Sequence, residues 1–313
     1  MTATADLIIE RRQMRRRLAL WRILAILAFV LAIIVGIASS GLVERTPTRG
    51  DHVAIVDVNG LITSDTDRAA ELKKIAEEDA AKALVVRINS PGGTVTGSEA
   101  LFENLRKVAE KKPVVAQMGD AAASGGYIAA IAADWIVARG NTITGSIGVV
   151  AEAPNIARLL EESGVDIIRI KSAPLKAEPG FLTEPAEGAI EAQEALIEDS
   201  FDWFKSLVAE RREMSASDVD GVSDGRVFTG RLALEANLID AVGGDEAVDA
   251  WLEEQHEIDP ELERRVRDWR KRELPWFLRL AGEATGVTPW LETTLLPDAS
   301  RMTPGFRLYA LMH

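Results

Sequence analysis

The chain has 313 residues, a formal net charge of −13, three histidines and no cysteine. Without cysteine there are no disulfide frameworks, zinc–thiolate sites or thiol nucleophiles, and the three histidines are too scattered to suggest a metal site. We therefore predict no metal and no cofactor, and so acidic a chain is not expected to bind nucleic acid.

A long apolar run near the N-terminus predicts a membrane anchor. Residues 23–43 carry no charge and are long enough to span a hydrocarbon core of about 30 Å. Residues 1–22 contain six arginines against two acidic residues, so the positive-inside rule places this basic segment in the cytoplasm. A cleaved signal peptide is the rival interpretation, but its apolar region is normally shorter. We expect a single-pass anchor in a bacterial inner membrane, with everything after it on the extracytoplasmic side.

Strand and helix patterns alternate after a linker over residues 44–52. Strands are predicted at Val53–Ile62, Ala83–Asn89 and Pro113–Met118, with helical sequence between them, and a long amphipathic helix lies between Ile190 and Val208. Two further short runs read as strands, "DWIVA" and Val165–Ile170. The alternation predicts an α/β domain with a mostly parallel sheet covered on both faces.

The main folded domain is assigned to residues 53–258, and residues 259–313 are treated as a C-terminal extension. That extension is basic and carries Trp269, Trp276 and Phe277 among arginines. A segment lying on the membrane surface is one interpretation. A packed helix with a solvated charged face is the simpler one.

Ser124 stands in "GDAAASGGYIAA", directly after a predicted strand and before a predicted helix. At that position a serine could be a nucleophile, with the N–H of Gly125 donating to an oxyanion. It could instead be a helix N-cap, and the twelve residues taken alone favour the cap. Upstream, the turn "SPGG" offers the N–H of Gly92 or Gly93 as a second oxyanion donor, or is only a tight turn.

A nucleophilic serine needs a base, and a lysine can serve where burial favours its neutral form. Lys171 and Lys176 lie in the apolar stretch "IRIKSAPLKAEPGF". From their spacing alone, each of these lysines is expected to be an ordinary charged residue at the surface. Thr144 and Ser146 in "NTITGSIGVV" would hold a lysine ammonium by hydrogen bonds, or would only cap a turn.

Together the segments "RINSPGG", "AAASGGYIAA", "NTITGSIGVV", "LK" before "EPGF", and "DGRVFTGRLALEANLIDAVGG" resemble the signal peptide peptidase SppA family, in its short form. The likeness runs from about Val53 to Leu252. It implies the Clp protease/crotonase-like fold, a spiral of ββα units, with Ser124 as nucleophile and Lys176 as general base. One departure is Asn237, where a helix-ending glycine is expected; asparagine is the next-best residue for the left-handed conformation.

The resemblance also implies a homo-oligomer in which the lysine of one chain serves the serine of its neighbour. The implied substrates are signal-peptide remnants and other hydrophobic peptides. Three alternatives remain: a related protease with a different membrane-protein substrate, a crotonase-type enzyme acting on an acyl-CoA thioester, and a non-hydrolytic scaffold. An extracytoplasmic domain would lack coenzyme A, which speaks against the crotonase chemistry.

Overall fold

The computed structural model describes residues 21, 22, 24–29, 50–269 and 309–311, the last three by their backbone. Within these residues no helix is both long and apolar enough to cross a bilayer. Residues 24–29 are helical, and the rest of the predicted anchor over 23–43 lies outside the described residues. Trp276 and Phe277 of the extension also lie outside them.

Strands and helices alternate along the domain, as the sequence predicts. The strands are β1 (His52–Asn59), β2 (Ala81–Ser90), β3 (Gly92–Thr94), β4 (Val114–Ala123), β5 (Trp135–Ala138), β6 (Ile143–Gly145), β7 (Val227–Thr229), β8 (Ala241–Val242), β9 (Glu263–Val266) and β10 (Tyr309–Leu311). The helices are α1 (Thr66–Glu77), α2 (Val95–Ala109), α3 (Gly125–Ala130), α4 (Ala157–Glu162), α5 (Ala189–Arg211), α6 (Ala216–Val222), α7 (Gly230–Glu235) and α8 (Asp245–His256).

A mixed but mostly parallel sheet carries the domain. Its main path runs β7-β6-β4-β2-β1-β9, with β5 beside β4 and β8 beside β5. Every pairing is parallel except that of β6 with β7. The predicted α/β class with a parallel sheet is thereby confirmed.

Alternate residues of the central strands enter two separate apolar cores. Val56 and Val86 point to the larger one, which includes side chains of α1, α2, α3 and α5. Val53 and Val85 point to the other, which is closed by Val248 and Leu252 of α8. Burial on both faces explains why these strands are continuous β-branched runs rather than alternating patterns.

The strand predicted at Val165–Ile170 is wrong. These six residues form no strand, and the Ile168 and Ile170 side chains are 87% and 97% exposed. No neighbouring strand of the described chain pairs with the segment, and an apolar β-branched run without such a neighbour has no ladder to join.

The start of the C-terminal extension departs from the predicted helix. Residues Glu263–Val266 form β9, which pairs in parallel with β1, so the sheet continues past residue 258. Trp269 packs against the larger core, and its Nε1 donates to Asp65 Oδ2 at 2.9 Å. Asn237 has a φ of 57°, which confirms the left-handed conformation expected for it after α7.

Candidate active site

Ser124 lies where β4 ends and α3 begins, as predicted, but it does not cap the helix. It occupies the N-cap position and its side chain makes no capping hydrogen bond. The residue is 0% exposed, and its Oγ has no hydrogen-bond partner among the described residues. Its backbone has φ 54° and ψ −115°, a conformation that costs a non-glycine residue of the order of 1–3 kcal/mol. A strained, buried and unpaired hydroxyl does not fit the cap interpretation.

The helix that follows Ser124 is held from its buried face. Tyr127 is fully buried, and its hydroxyl donates to the carbonyl of Leu238 at 2.9 Å. Burial raises the pKa of Tyr127, so the phenol stays protonated and keeps this bond. The short helix α3 therefore has a fixed position despite its length of six residues.

The strand β6 runs beside the serine. Ser124 N donates to Gly145 O at 2.8 Å, and Ala122 and Thr144 are partners in the β4–β6 ladder. Thr144 Oγ1 donates to Ala122 O at 2.7 Å, and Ser146 N donates to Arg226 O at 2.8 Å. Both predicted residues therefore lie next to the serine's strand, but neither side chain contacts a lysine within the described part of the chain.

The glycine turn after β2 lies against the start of α3. A Cβ placed on Gly125 would overlap the hydroxyl of Ser98 and lie 3.1 Å from Gly93 N. The N–H of Gly92 is taken by Ser90 Oγ at 3.1 Å. Gly93 is therefore the better placed of the two predicted donors, and its N–H lies close to Gly125.

The strand β3 is bonded to Ile62 along one edge and paired with β10 along the other, which is called its outer edge below. Ile62 N donates to Gly92 O and Thr94 N donates to Ile62 O, both at 2.9 Å. Strand alternation then turns the N–H and C=O of Gly93 to the opposite edge. On that edge β10 pairs antiparallel, with Ala310 opposite Gly93. An extended peptide segment thus fits beside the glycine turn.

The two candidate lysines have different surroundings. Lys171 Nζ donates to Glu178 Oε1 at 2.7 Å and to Pro174 O at 2.6 Å, so its ammonium is engaged. The hydrogen bond from Lys171 holds the pKa of the Glu178 carboxyl below its usual range. Lys176 is exposed, and within the described residues its side chain makes no hydrogen bond or ion pair. It does not bond to Ser124 in this chain.

Comparisons with known proteins bear directly on this arrangement. The sequence model of peptidase family S49 matches residues 106–259, and that of the Clp proteases matches residues 53–138. A protein of Synechocystis sp. named as a protease is 42% identical over 221 residues, which is 69% of this chain and 78% of that protein. The chain belongs to peptidase family S49, the SppA family. It is a serine protease with a Clp protease-like α/β domain.

Other SppA-family relatives differ in length. Protease 4 of Haemophilus influenzae is 34% identical over 225 residues, 65% of this chain but 36% of that protein. A protein of Enterococcus faecium named as a signal peptide peptidase SppA is 33% identical over 191 residues, covering 60% of this chain and 56% of that one. The matched part of this chain therefore spans 36% and 56% of the length of these two members.

Two buried side chains beside the candidate residues are not predicted by the sequence. Ser90, in the turn "NSPGG", is fully buried and binds both the N–H and the C=O of Gly92. Glu178 has a side chain only 3% exposed and binds Arg169 and Lys171. The available signal for Glu178 was a lone acid two residues after Lys176 in "LKAEPGF".

Proposed function

We propose that this chain is a membrane-anchored endopeptidase of the SppA family in which Ser124 is the nucleophile and Lys176 the general base. The observation that carries the proposal is the state of Ser124. Its hydroxyl is buried and unpaired on a strained backbone, and the residue that follows it, Gly125, lies close to Gly93 N. Strain of this kind is typical of residues whose conformation serves chemistry.

Each proposed residue has one role in acyl transfer. Ser124 Oγ attacks the scissile carbonyl while the neutral Lys176 amine takes the hydroxyl proton. The carbonyl oxygen, now an oxyanion, accepts from Gly93 N and Gly125 N. The lysine ammonium gives its proton to the leaving amine, and a water then attacks the acyl-enzyme with the same amine as base.

The outer edge of β3 supports a peptide substrate in extended form. Residues 309–311 of this chain already pair there in antiparallel register. An added substrate strand would take main-chain hydrogen bonds from β3 and bring one of its carbonyls to Gly93. Main-chain recognition of this kind tolerates many sequences, which suits signal-peptide remnants and other hydrophobic peptides as substrates.

Assembly of several copies is proposed from the exposure of the segment that carries Lys176. None of residues 148–188 belongs to either apolar core, and α4 has no buried residue. Several large apolar side chains of this segment are exposed: Leu159, Val165, Ile167, Ile168, Ile170, Leu175, Phe181 and Leu182. So many exposed apolar side chains on one segment favour contact with another copy. We propose that Lys176 of one copy serves Ser124 of the next.

Membrane attachment through residues 23–43 is part of the proposal. The uncharged length and the arginine-rich flank support a single span with the catalytic domain outside the cytoplasm. We expect the membrane-bound chain to resist extraction by alkali. We also expect added protease to reach the catalytic domain only from the outer side of the membrane. Release by alkali would contradict the anchor without affecting the proposed catalytic pair of Ser124 and Lys176, the dyad.

Hydrolysis of an apolar fluorogenic peptide tests the dyad. Ser124→Ala and Lys176→Ala are each expected to be inactive while still unfolding cooperatively, at a midpoint no lower than that of the wild type. Ser217→Ala and Lys74→Ala, which change an exposed serine and an exposed lysine, are the matched controls and should retain activity. Full activity in either dyad variant would overturn the proposal.

Mixing the two inactive variants tests whether the dyad is shared between copies. A mixed assembly contains some sites with an intact Ser124 from one chain and an intact Lys176 from the other. We expect activity to return on mixing and subunit exchange. If activity does not return, although both variants assemble with wild-type chains, the dyad lies within one chain.

A further inference from the structure

The segment that carries Lys176 is held by polar contacts rather than by an apolar core. Between β6 and α5 the chain runs for more than 40 residues with only α4 as regular structure, and its side chains are mostly exposed. A base on such a segment needs another source of rigidity, because general base catalysis requires a fixed geometry.

Glu178 is the centre of these polar contacts. Its Oε1 accepts from Arg169 Nη1 at 3.0 Å and from Lys171 Nζ at 2.7 Å. Its Oε2 accepts from Gly180 N at 3.0 Å and from Ala186 N at 3.3 Å. The carboxylate is almost completely buried, with 3% of the side chain exposed. Both oxygens are thus saturated, and they connect residues that are 17 positions apart in sequence.

The same contacts reach the backbone beside Lys176. Arg169 Nη2 donates to the carbonyl of Ala177 at 2.9 Å, and Ala177 has a φ of 59°. Lys176 N donates to Ala173 O at 3.1 Å, and Glu178 N donates to Leu175 O at 3.3 Å. The backbone is therefore bound on both sides of Lys176.

The three cations of this stretch are used differently. Arg169 and Lys171 are bound to Glu178, whereas the Lys176 side chain has no partner within the described residues. Glu178 binds the neighbouring cations and leaves the Lys176 amine unengaged. A carboxylate that paired with Lys176 itself would instead hold it as an ammonium ion, unable to accept a proton.

We propose that Glu178 is a positioning residue that, through Arg169 and Lys171, orients the backbone of the Lys176 segment for proton transfer. The inference rests on the proposed function, since it assumes that Lys176 is the base. Glu178 does not touch the substrate or the reacting atoms. It acts through the loop that presents Lys176.

Glu178→Gln is the first test, because it keeps the shape of the side chain and removes its charge. The amide has no charge to hold Arg169 and Lys171, and its N–H₂ group cannot accept from Gly180 N and Ala186 N. A displacement of about 1 Å at the base lowers a rate by about 10²-fold. We expect kcat for an apolar fluorogenic peptide and the rate of labelling by a fluorophosphonate to fall together by about this factor, with little change in KM. Glu178→Asp keeps the charge and should recover part of the loss. Asp202→Asn, which removes an exposed carboxylate from Lys205, is the matched control and should have little effect.

A double variant separates positioning from a general structural role. If Glu178 acts through Lys176, Glu178→Gln should not lower the residual labelling rate of Lys176→Ala any further. A further loss of the same size in that background would overturn the inference, because damage independent of Lys176 adds.

Two outcomes tell the inference apart from the proposed function. If Lys176→Ala is fully active, the base assignment fails and the inference fails with it. If Lys176→Ala is inactive but Glu178→Gln keeps the wild-type kcat, only the inference fails. Should Glu178→Gln lose its cooperative thermal transition, Arg169→Lys replaces it, since lysine cannot bridge Glu178 and the Ala177 carbonyl with two nitrogens. Wild-type kcat in that variant would equally overturn the inference.

Discussion

Two buried serines beside the glycine turn should respond to alanine substitution with opposite signs. Ser90 and Ser124 are both 0% exposed. Ser90 Oγ accepts from Gly92 N at 3.1 Å and lies 3.2 Å from Gly92 O, to which it donates, whereas Ser124 Oγ has no partner among the described residues. Ser90→Ala therefore leaves the Gly92 N–H unpaired, and Ser124→Ala removes a hydroxyl that is already unpaired.

The magnitudes follow from the cost of an unpaired buried polar group, about 1–3 kcal/mol. We expect Ser90→Ala to lower the free energy of unfolding by about this amount and Ser124→Ala to raise it by about the same amount. Ser124→Gly additionally relieves the strain at φ 54°, worth about 1–3 kcal/mol. Part of that gain, about 0.5–1 kcal/mol, is offset by the greater freedom of glycine in the unfolded chain. The expected order of stability is Ser124→Gly, Ser124→Ala, wild type, Ser90→Ala.

Urea unfolding followed by tryptophan fluorescence measures this order. Trp135 and Trp251 stack with ring centroids 5.6 Å apart and report on the folded domain. Midpoints should shift at constant slope, since the surface exposed on unfolding is unchanged. If Ser90→Ala and Ser124→Ala lower the midpoint equally, Ser124 is an ordinary hydrogen-bonded core serine, and its state gives no support to a catalytic role.

Three further results are expected from the same structure. Gly93→Ala should abolish hydrolysis because its Cβ would overlap a backbone carbonyl. Gly221→Ala, which has open space around it, should keep wild-type activity and a thermal midpoint no lower than that of the wild type. An active Gly93→Ala would contradict the close approach. The hydrogen bond from Lys171 lowers the pKa of Glu178, so the native state binds fewer protons at this carboxyl than the unfolded state does. The stabilisation from its contacts is therefore complete above the ordinary glutamate pKa of about 4.3. It is lost as the pH falls through the lowered pKa of the folded state. Protease nicking within residues 149–187 should therefore rise below about pH 4, and the rise should be absent in Glu178→Gln; a wild-type rise already at neutral pH would contradict this. A chain ending at residue 308 should have a lower KM for an extended peptide and an unchanged kcat, because residues 309–311 no longer cover the edge of β3; an unchanged KM would show that this edge does not bind substrate.

The central strands could be predicted from the sequence because burial on both faces leaves a plain β-branched signature. The same signature was misleading at Val165–Ile170, where the side chains are exposed and no strand pairs with the segment. A strand needs a neighbour, and a single apolar run carries no information about whether one exists. The sequence does not predict the pairing of β9 with β1, because the arginines of β9 indicate a solvated helix.

The sequence predicts that Ser124 and the glycine turn lie at the ends of neighbouring strands, but it does not predict the hydrogen bonding and backbone conformation found there. The sequence pattern could not decide whether Ser124 is a cap, because that depends on φ and on a hydrogen bond that is absent. The choice between Gly92 and Gly93 depends on which N–H is already bound, which needed the position of Ser90. The sequence does not predict the contacts of the Glu178 carboxylate, because its partners lie up to nine residues away along an irregular loop.

Mass-spectrometric mapping of a fluorophosphonate adduct on the full-length chain tests the central claim most directly. A single adduct on the peptide that contains Ser124 is the predicted result, and it should be lost in Ser124→Ala and strongly slowed in Lys176→Ala. An adduct on another serine, such as Ser90 or Ser98, that persists together with peptide hydrolysis in Ser124→Ala would contradict the account.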